Sequence, residues 1–97
     1  MRMSDLRVLA RRYHIRRAAL FGSAARGELQ PGSDIDLLIE FEPDAAPSFW
    51  SAPELEDAFS SLFGGRAIDI VPPEVLRNPY RRRTIERDIK VLLDESA

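Results

Sequence analysis

The sequence predicts an α/β chain of the α+β kind, a small mixed sheet flanked by helices. Three features carry this expectation. Amphipathic stripes at helical spacing alternate with short apolar runs. The runs close at glycine or proline. One run, Asp34 to Phe41, alternates acidic and aliphatic side chains with the period of a strand. A length of 97 residues fits a single domain spanning 1–97.

Taken in order, Ser4 is a candidate N-cap. Behind it Leu6, Leu9, Ala10 and Tyr13 fall at i, i+3, i+4 and i+7, one face of a first helix, with Arg7, Arg11 and Arg12 mostly off that face. Ala18-Ala19-Leu20-Phe21 reads as a buried strand ending at Gly22, and Ser23 to Leu29 as a short helix before the turn Gln30-Pro31-Gly32. Asp34 to Phe41 is the second strand, stopped by Pro43, and Asp44 to Pro47 is a loop. Ser51 with Glu54 resembles a capping box ahead of the stripe Leu55, Ala58, Phe59, Leu62 and Phe63, which Gly64-Gly65 terminates. Ala67 to Val71 is a third strand, closed by Pro72-Pro73. Asn78-Pro79 opens a last helix whose inner face is expected to carry Ile85, Ile89, Leu92 and Leu93. The expected order is α-β-(α)-β-α-β-α, with no internal repeat.

Composition narrows the function classes. Hydrophobic residues make up 44% and charged residues 31%, which suits a packed core under a solvated surface. There is no cysteine, so disulfides and thiolate metal sites are excluded. A net charge of −2 argues against a polyanion binder driven by bulk charge, and no direct nucleic-acid binding is expected. No apolar run approaches the ~18 residues of a spanning helix, and no signal sequence opens the chain. A soluble, cytoplasmic protein without a membrane partner is the expectation. The basic residues are nearly all arginine, with Lys90 the one lysine. Arginine suits bidentate phosphate contacts, although genome composition produces the same bias.

The acids in the second strand carry the chemistry. Alternation puts Ile35, Leu37, Ile39 and Phe41 on one face, against helices, and Asp34, Asp36, Leu38 and Glu40 on the other. Residues two apart on a strand are separated by ~6.6 Å, so the carboxylates of Asp34 and Asp36 can lean toward common ions. Paired divalent ions in phosphate-processing sites sit ~3.5–4 Å apart. Bringing two carboxylates together is unfavourable without a compensating cation or proton. Magnesium suits hard oxygen donors and leaves coordination positions open for water and phosphate. Asp69 interrupts the third strand in the same way, between Ile68 and Ile70, which face the core. If that strand pairs beside Asp34 to Phe41, three carboxylates share one side of the sheet. If not, Asp69 is a solvated residue at a strand edge. The Gly22-Ser23 corner leaves a strand and enters a helix, so free N–H groups there can receive phosphate, with the Ser23 hydroxyl as a further donor. Ser33 can cap or orient the carboxylates, and Arg26 can balance phosphate charge. His14, at the end of the first helix, reads as a surface or core polar residue and not a catalytic one.

Gly22-Ser23, ten residues, then Asp34-Ile35-Asp36 resembles the signature of the DNA-polymerase-β-like nucleotidyltransferases. With Ala25-Arg26-Gly27-Glu28, Ser33 and the Asp69 of AIDIV, the chain is similar to the minimal branch of that superfamily, the MNT or MntA-like antitoxins. The resemblance implies a polymerase-β-like nucleotidyltransferase fold and a magnesium-dependent transfer of a nucleoside monophosphate from a triphosphate, with ATP as substrate and pyrophosphate leaving. Asp34, Asp36 and Asp69 would be the catalytic, metal-binding residues, with one or two ions, and Asp69 would bind the catalytic ion near the attacking hydroxyl. Gly22 and Ser23, with Arg26 and Ser33, would serve nucleotide binding. Larger relatives carry a further domain that holds the acceptor. This chain ends soon after its last helix, so the acceptor is expected to be supported from elsewhere. The resemblance points to a HEPN-domain ribonuclease toxin in a hetero-oligomer, adenylylated on a tyrosine. Phe49, Trp50, Tyr80, Arg81, Arg82 and Arg83 are candidate partner contacts. The alternative is a catalytically silent antitoxin that neutralises its toxin by binding.

Overall fold

A computed structural model of the chain describes residues 2–28, 30, 32–43 and 52–95. The expected loop Asp44 to Pro47, the Ser51 half of the capping box, Phe49 and Trp50 lie outside the described residues.

Helix α1 (Met3–Arg12) buries Leu6, Leu9 and Ala10, so the apolar stripe faces the core as its spacing predicts. It starts one residue before Ser4: Arg2 is the N-cap, and its carbonyl accepts from the backbone N–H groups of Asp5 and Leu6. Strand β1 (Ile15–Phe21) is three residues longer than the apolar run alone predicts. The extension admits Arg16 and Arg17 because neighbouring strands carry acids opposite them. The Arg17 guanidinium lies 3.0 Å from a Glu40 oxygen and 3.8 Å from Asp94, its register partners on either side. Helix α2 (Ser23–Arg26) follows Gly22 directly and ends at Gly27, which takes the left-handed conformation, so it stops short of the expected Leu29.

Strand β2 (Ile35–Phe41) pairs antiparallel with β1 and parallel with β3 (Ile68–Val71). Helix α3 (Ala52–Leu62) links the parallel pair, as a crossover must. A 3₁₀ turn (Pro73–Arg77) leads to α4 (Pro79–Asp88), whose first turn is capped by Asn78: its side-chain oxygen accepts from the N–H groups of Tyr80 and Arg81.

The chain's last element corrects the expectation. Of Ile85, Ile89, Leu92 and Leu93, only Ile85 lies in α4; the backbone is extended by Ile89, and Lys90–Asp94 forms a fourth strand, β4, antiparallel to β1. The spacing of these residues fits a helix stripe, but β1 offers an open edge. Pairing there satisfies its backbone groups and sets Asp94 beside Arg17. The sheet order is therefore β3-β2-β1-β4.

Both faces of this sheet are covered. On one, Ile35, Leu37 and Ile39 of β2, with Ala18 and Leu20 of β1, pack against Leu6, Leu9 and Ala10 of α1 and Leu55 and Phe59 of α3. On the other, Ala19, Phe21, Leu38 and Val71 pack against Ile85 of α4, with Val75 and Leu76 of the 3₁₀ turn. This second layer is smaller. It leaves the β2 and β3 ends beside Gly22, where the aspartates stand, open beyond the helix.

Candidate active site

The parallel register of β2 and β3 settles where Asp69 stands. Asp36 and Asp69 are cross-strand partners, one pair along from Ile35 and Ile68. Since Ile35 and Ile68 belong to the α1–α3 core, strand alternation sends both acids to the opposite face. Asp34, two residues before Asp36, precedes the same strand and is exposed. On its other side Asp36 pairs with Phe21, the last residue of β1, which brings Gly22 against it. Asp36 is thus flanked by a second carboxylate and by the glycine corner.

Electrostatics register this crowding. Partial burial holds the Asp36 carboxyl above the usual aspartate range, and the charges of Asp69 and then Asp34 push the same way, against the opposing pull of Arg81. Gly22 has φ +68° and ψ −148°, a region essentially reserved for glycine. A Cβ at this position would lie 2.9 Å from Asp36 Oδ2. Only glycine lets the corner and the carboxylate approach this closely. Ser23 opens α2, whose first N–H groups have no intrahelical acceptor, so the donors expected of the corner are a consequence of the local fold.

A cavity of about 360 Å³ opens beside Asp36, between the Gly22 corner, the end of β1 and α4. Its walls include Phe21, Gly22, Arg26 and Asp36, with Tyr80, Arg81, Thr84, Ile85 and Asp88 from the helix. Arg26 faces this cavity but is tied down, 2.7 Å from Asp88 and 3.0 Å from Glu28. Ser33 stands apart from it. Its hydroxyl accepts from the Gln30 N–H at 3.0 Å and its own N–H donates to the Gln30 carbonyl, closing the turn that leads into Asp34. It lines a second recess with Gly32, Gly64 and Arg66. His14 is exposed at the α1–β1 junction.

Thr84 and Asp88 line the cavity without belonging to any motif of the sequence, and Tyr80 and Arg81, expected as partner contacts, line it too. One signal does exist. Tyr80, Arg81, Thr84, Ile85 and Asp88 follow the i, i+1, i+4, i+5, i+8 stripe of a single helix face, anchored by buried Ile85. Arg82 lies off it and pairs with Glu86 at 3.0 Å.

Among the described residues, no three acidic or imidazole side chains are drawn tightly enough together to enclose an ion. The donor chemistry nevertheless fits a hard divalent cation. It comprises carboxylate oxygens on one sheet face, with Asp36 destabilised by its acidic neighbours and opposed by a single arginine. No helix among the described residues is long and apolar enough to cross a membrane.

Comparison with known proteins identifies the family and the fold. Residues 6–92 match the family described as "Nucleotidyltransferase domain". The chain is 36% identical to "Putative protein adenylyltransferase MJ1379" of Methanocaldococcus jannaschii, over 86% of this chain and 82% of that one. It is 35% identical to "Protein adenylyltransferase MntA" of Thermococcus cleftensis, over 84% and 78%. A solved structure described as a "putative minimal nucleotidyltransferase" superposes with a TM-score of 0.64 at 32% identity, covering 93% of this chain and 95% of the other. A toxin–antitoxin complex solved with AMP-PNP shares the fold, with a TM-score of 0.69 at 20% identity, covering 99% of this chain and 76% of that one.

Proposed function

Because the chain belongs to the nucleotidyltransferase domain family, among its MntA-like minimal members, we propose that it is the antitoxin of a toxin–antitoxin pair and transfers AMP from ATP to its partner. The acceptor is a tyrosine of a HEPN-domain ribonuclease toxin, and the reaction takes place in the cytoplasm. Two relatives carry the name protein adenylyltransferase, and one structural neighbour is a toxin–antitoxin complex with a bound ATP analogue; both support the reading. Nucleotidyl transfer itself is the chemistry of the family.

The observation that carries the proposal is the pairing of Asp36 with Asp69 next to Gly22. In the reaction the acceptor oxygen attacks the α-phosphorus. A new P–O bond forms, the bond to the pyrophosphate oxygen breaks, and the phenolic proton is released to solvent. Asp36 and Asp69, with Asp34, would hold magnesium, which when bound neutralises charge on the phosphates and lowers the barrier to attack. Gly22 lets the polyphosphate approach the backbone closely, and Ser23 donates to its oxygens. Arg26, braced by Glu28 and Asp88, contributes positive charge at the rim, and Ser33 fixes the turn that delivers Asp34. Preorganised groups of this kind act on charge that develops during transfer, and no covalent help from the protein is needed.

The test is transfer of label from α-labelled ATP to the partner toxin in magnesium, with wild type, Asp34→Asn/Asp36→Asn and Asp69→Asn. Label on the toxin from wild type, and at least a hundredfold less from either variant, supports the proposal. Neutralisation of the toxin that persists in the variants without transfer supports the silent, binding-only antitoxin.

A further inference from the structure

The cavity beside Asp36 has two cationic side chains on its walls, Arg26 and Arg81. Their situations differ. Arg26 is in contact with two carboxylates, at 2.7 and 3.0 Å, so its guanidinium already has two anionic partners within the protein's own surface. Its partner Asp88 is 10% exposed, also accepts from Arg87 at 3.3 Å, and ties α2 to α4 through Arg26. Arg81 forms no ion pair among the described residues, and the charge it acts on is that of Asp36. It stands in the first turn of α4, where the Asn78 cap takes its backbone N–H and the buried Ile85 fixes the rotation of the helix. The guanidinium is therefore carried by a rigid element, and it faces a cavity that also contains the glycine corner.

The same helix face supplies two further groups. The Thr84 hydroxyl donates to the Tyr80 carbonyl at 3.1 Å, which leaves its oxygen free to accept. Tyr80 is 80% exposed at the rim, with its ring turned to solvent for most of its surface. A fork-shaped cation, an acceptor hydroxyl and an exposed aromatic ring along one stripe suit a ligand that carries phosphate at one end and a flat polar ring at the other.

We propose that the α4 stripe is the second wall of the donor-nucleotide site, with Arg81 gripping the triphosphate opposite the Gly22 corner and Tyr80 and Thr84 meeting the nucleoside. The proposal rests on the nucleotidyltransferase reading above. It assigns the phosphate-gripping role to Arg81, with Arg26 chiefly a brace between α2 and α4. Arg81 is a binding residue in this account and transfers no proton.

The test is calorimetric binding of AMP-PNP and, separately, of adenosine, both with magnesium, to wild type, Arg81→Gln, Arg81→Lys, Arg82→Gln and Arg83→Gln. Arg81→Gln is expected to weaken AMP-PNP roughly ten- to a hundredfold, the range of a lost charge-assisted hydrogen bond, while adenosine binding changes less than twofold. Arg81→Lys recovers part of the loss. Arg82→Gln and Arg83→Gln bind as wild type. Arg81→Gln binding AMP-PNP as tightly as wild type overturns the assignment, as does an equal loss in Arg82→Gln or Arg83→Gln, which would make the effect one of general surface charge. Failure of wild type to bind AMP-PNP at all would instead remove the nucleotide reading, and this proposal with it. Because α4 is exposed at residue 81, all these variants should fold; a thermal melt of each confirms it.

Discussion

At the scale of single residues, Gly22 and Asp36 constrain each other. The backbone of Gly22 occupies a region costly to any other residue, and an added methyl would meet the Asp36 carboxylate. Gly22→Ala should cost roughly 1–3 kcal/mol, lowering the melting temperature by about 4–8 °C for each kcal/mol, and displace the carboxylate, so that transfer falls further than stability alone explains. A melt alongside the labelled-ATP assay checks both parts. Asp36 makes a second prediction, with a sign that runs against the usual carboxylate. Burial and then its acidic neighbours raise its folded value, so the native state binds the proton more tightly than the unfolded chain. Its contribution is fully present below the ordinary aspartate value and is lost as pH rises through that range to the raised folded value. At neutral pH without divalent cations, Asp36→Asn should therefore melt higher than wild type, and the advantage should vanish as the acid becomes protonated in both states. Thermal melts over a pH series measure it. A wild type that gains stability across that window, matched by no gain in the variant, would reverse the sign.

At the scale of elements, most of the fold was legible because its signals are local. The α1 and α3 stripes, the Asn78-Pro79 helix start and the alternation in Ile35–Phe41 each state their own burial. The failures were places where a neighbour decides. Arg16 and Arg17 enter β1 because Glu40 and Asp94 stand beside them, which the run Ile15-Arg16-Arg17 cannot announce. The stretch from Ile89 to Leu93 has a spacing that a helix accepts, and the open edge of β1 decides for a strand. The site followed the same division. That Asp36 and Asp69 share a sheet face beside the Gly22 corner could be read from alternation and spacing, whereas the position of α4 over the cavity depends on how that helix docks on β1. Asn78 caps α4, ahead of Pro79 at its first position, through bonds of 3.0 and 3.3 Å from the N–H groups of Tyr80 and Arg81. Asn78→Ala should cost about 1 kcal/mol, seen as a fall of roughly 4–8 °C in the melting temperature, and should weaken nucleotide binding through loss of helix order at Arg81.

At the scale of the whole molecule, two unequal layers explain why Asp36 and Asp69 stand open at one end of the sheet. The large core under α1 and α3 makes the sheet rigid, and the smaller layer under α4 stops short of the end where Asp36 and Asp69 meet. A rigid sheet holds mutually repelling acids in place, and a divalent cation bound there would relieve that repulsion. Magnesium with AMP-PNP should accordingly stabilise the protein. At a hundredfold excess over the dissociation constant the gain is about 2.7 kcal/mol, a rise of roughly 10 °C or more in a domain of this size, and it should be absent in Asp34→Asn/Asp36→Asn. The most direct measurement is a crystal structure grown with manganese and AMP-PNP, using the anomalous signal to locate the ion. The account predicts a peak at the carboxylates of Asp36 and Asp69, with Asp34 beside it, and the triphosphate running along Gly22 and Ser23. A nucleotide bound with its metal away from those two side chains would contradict it.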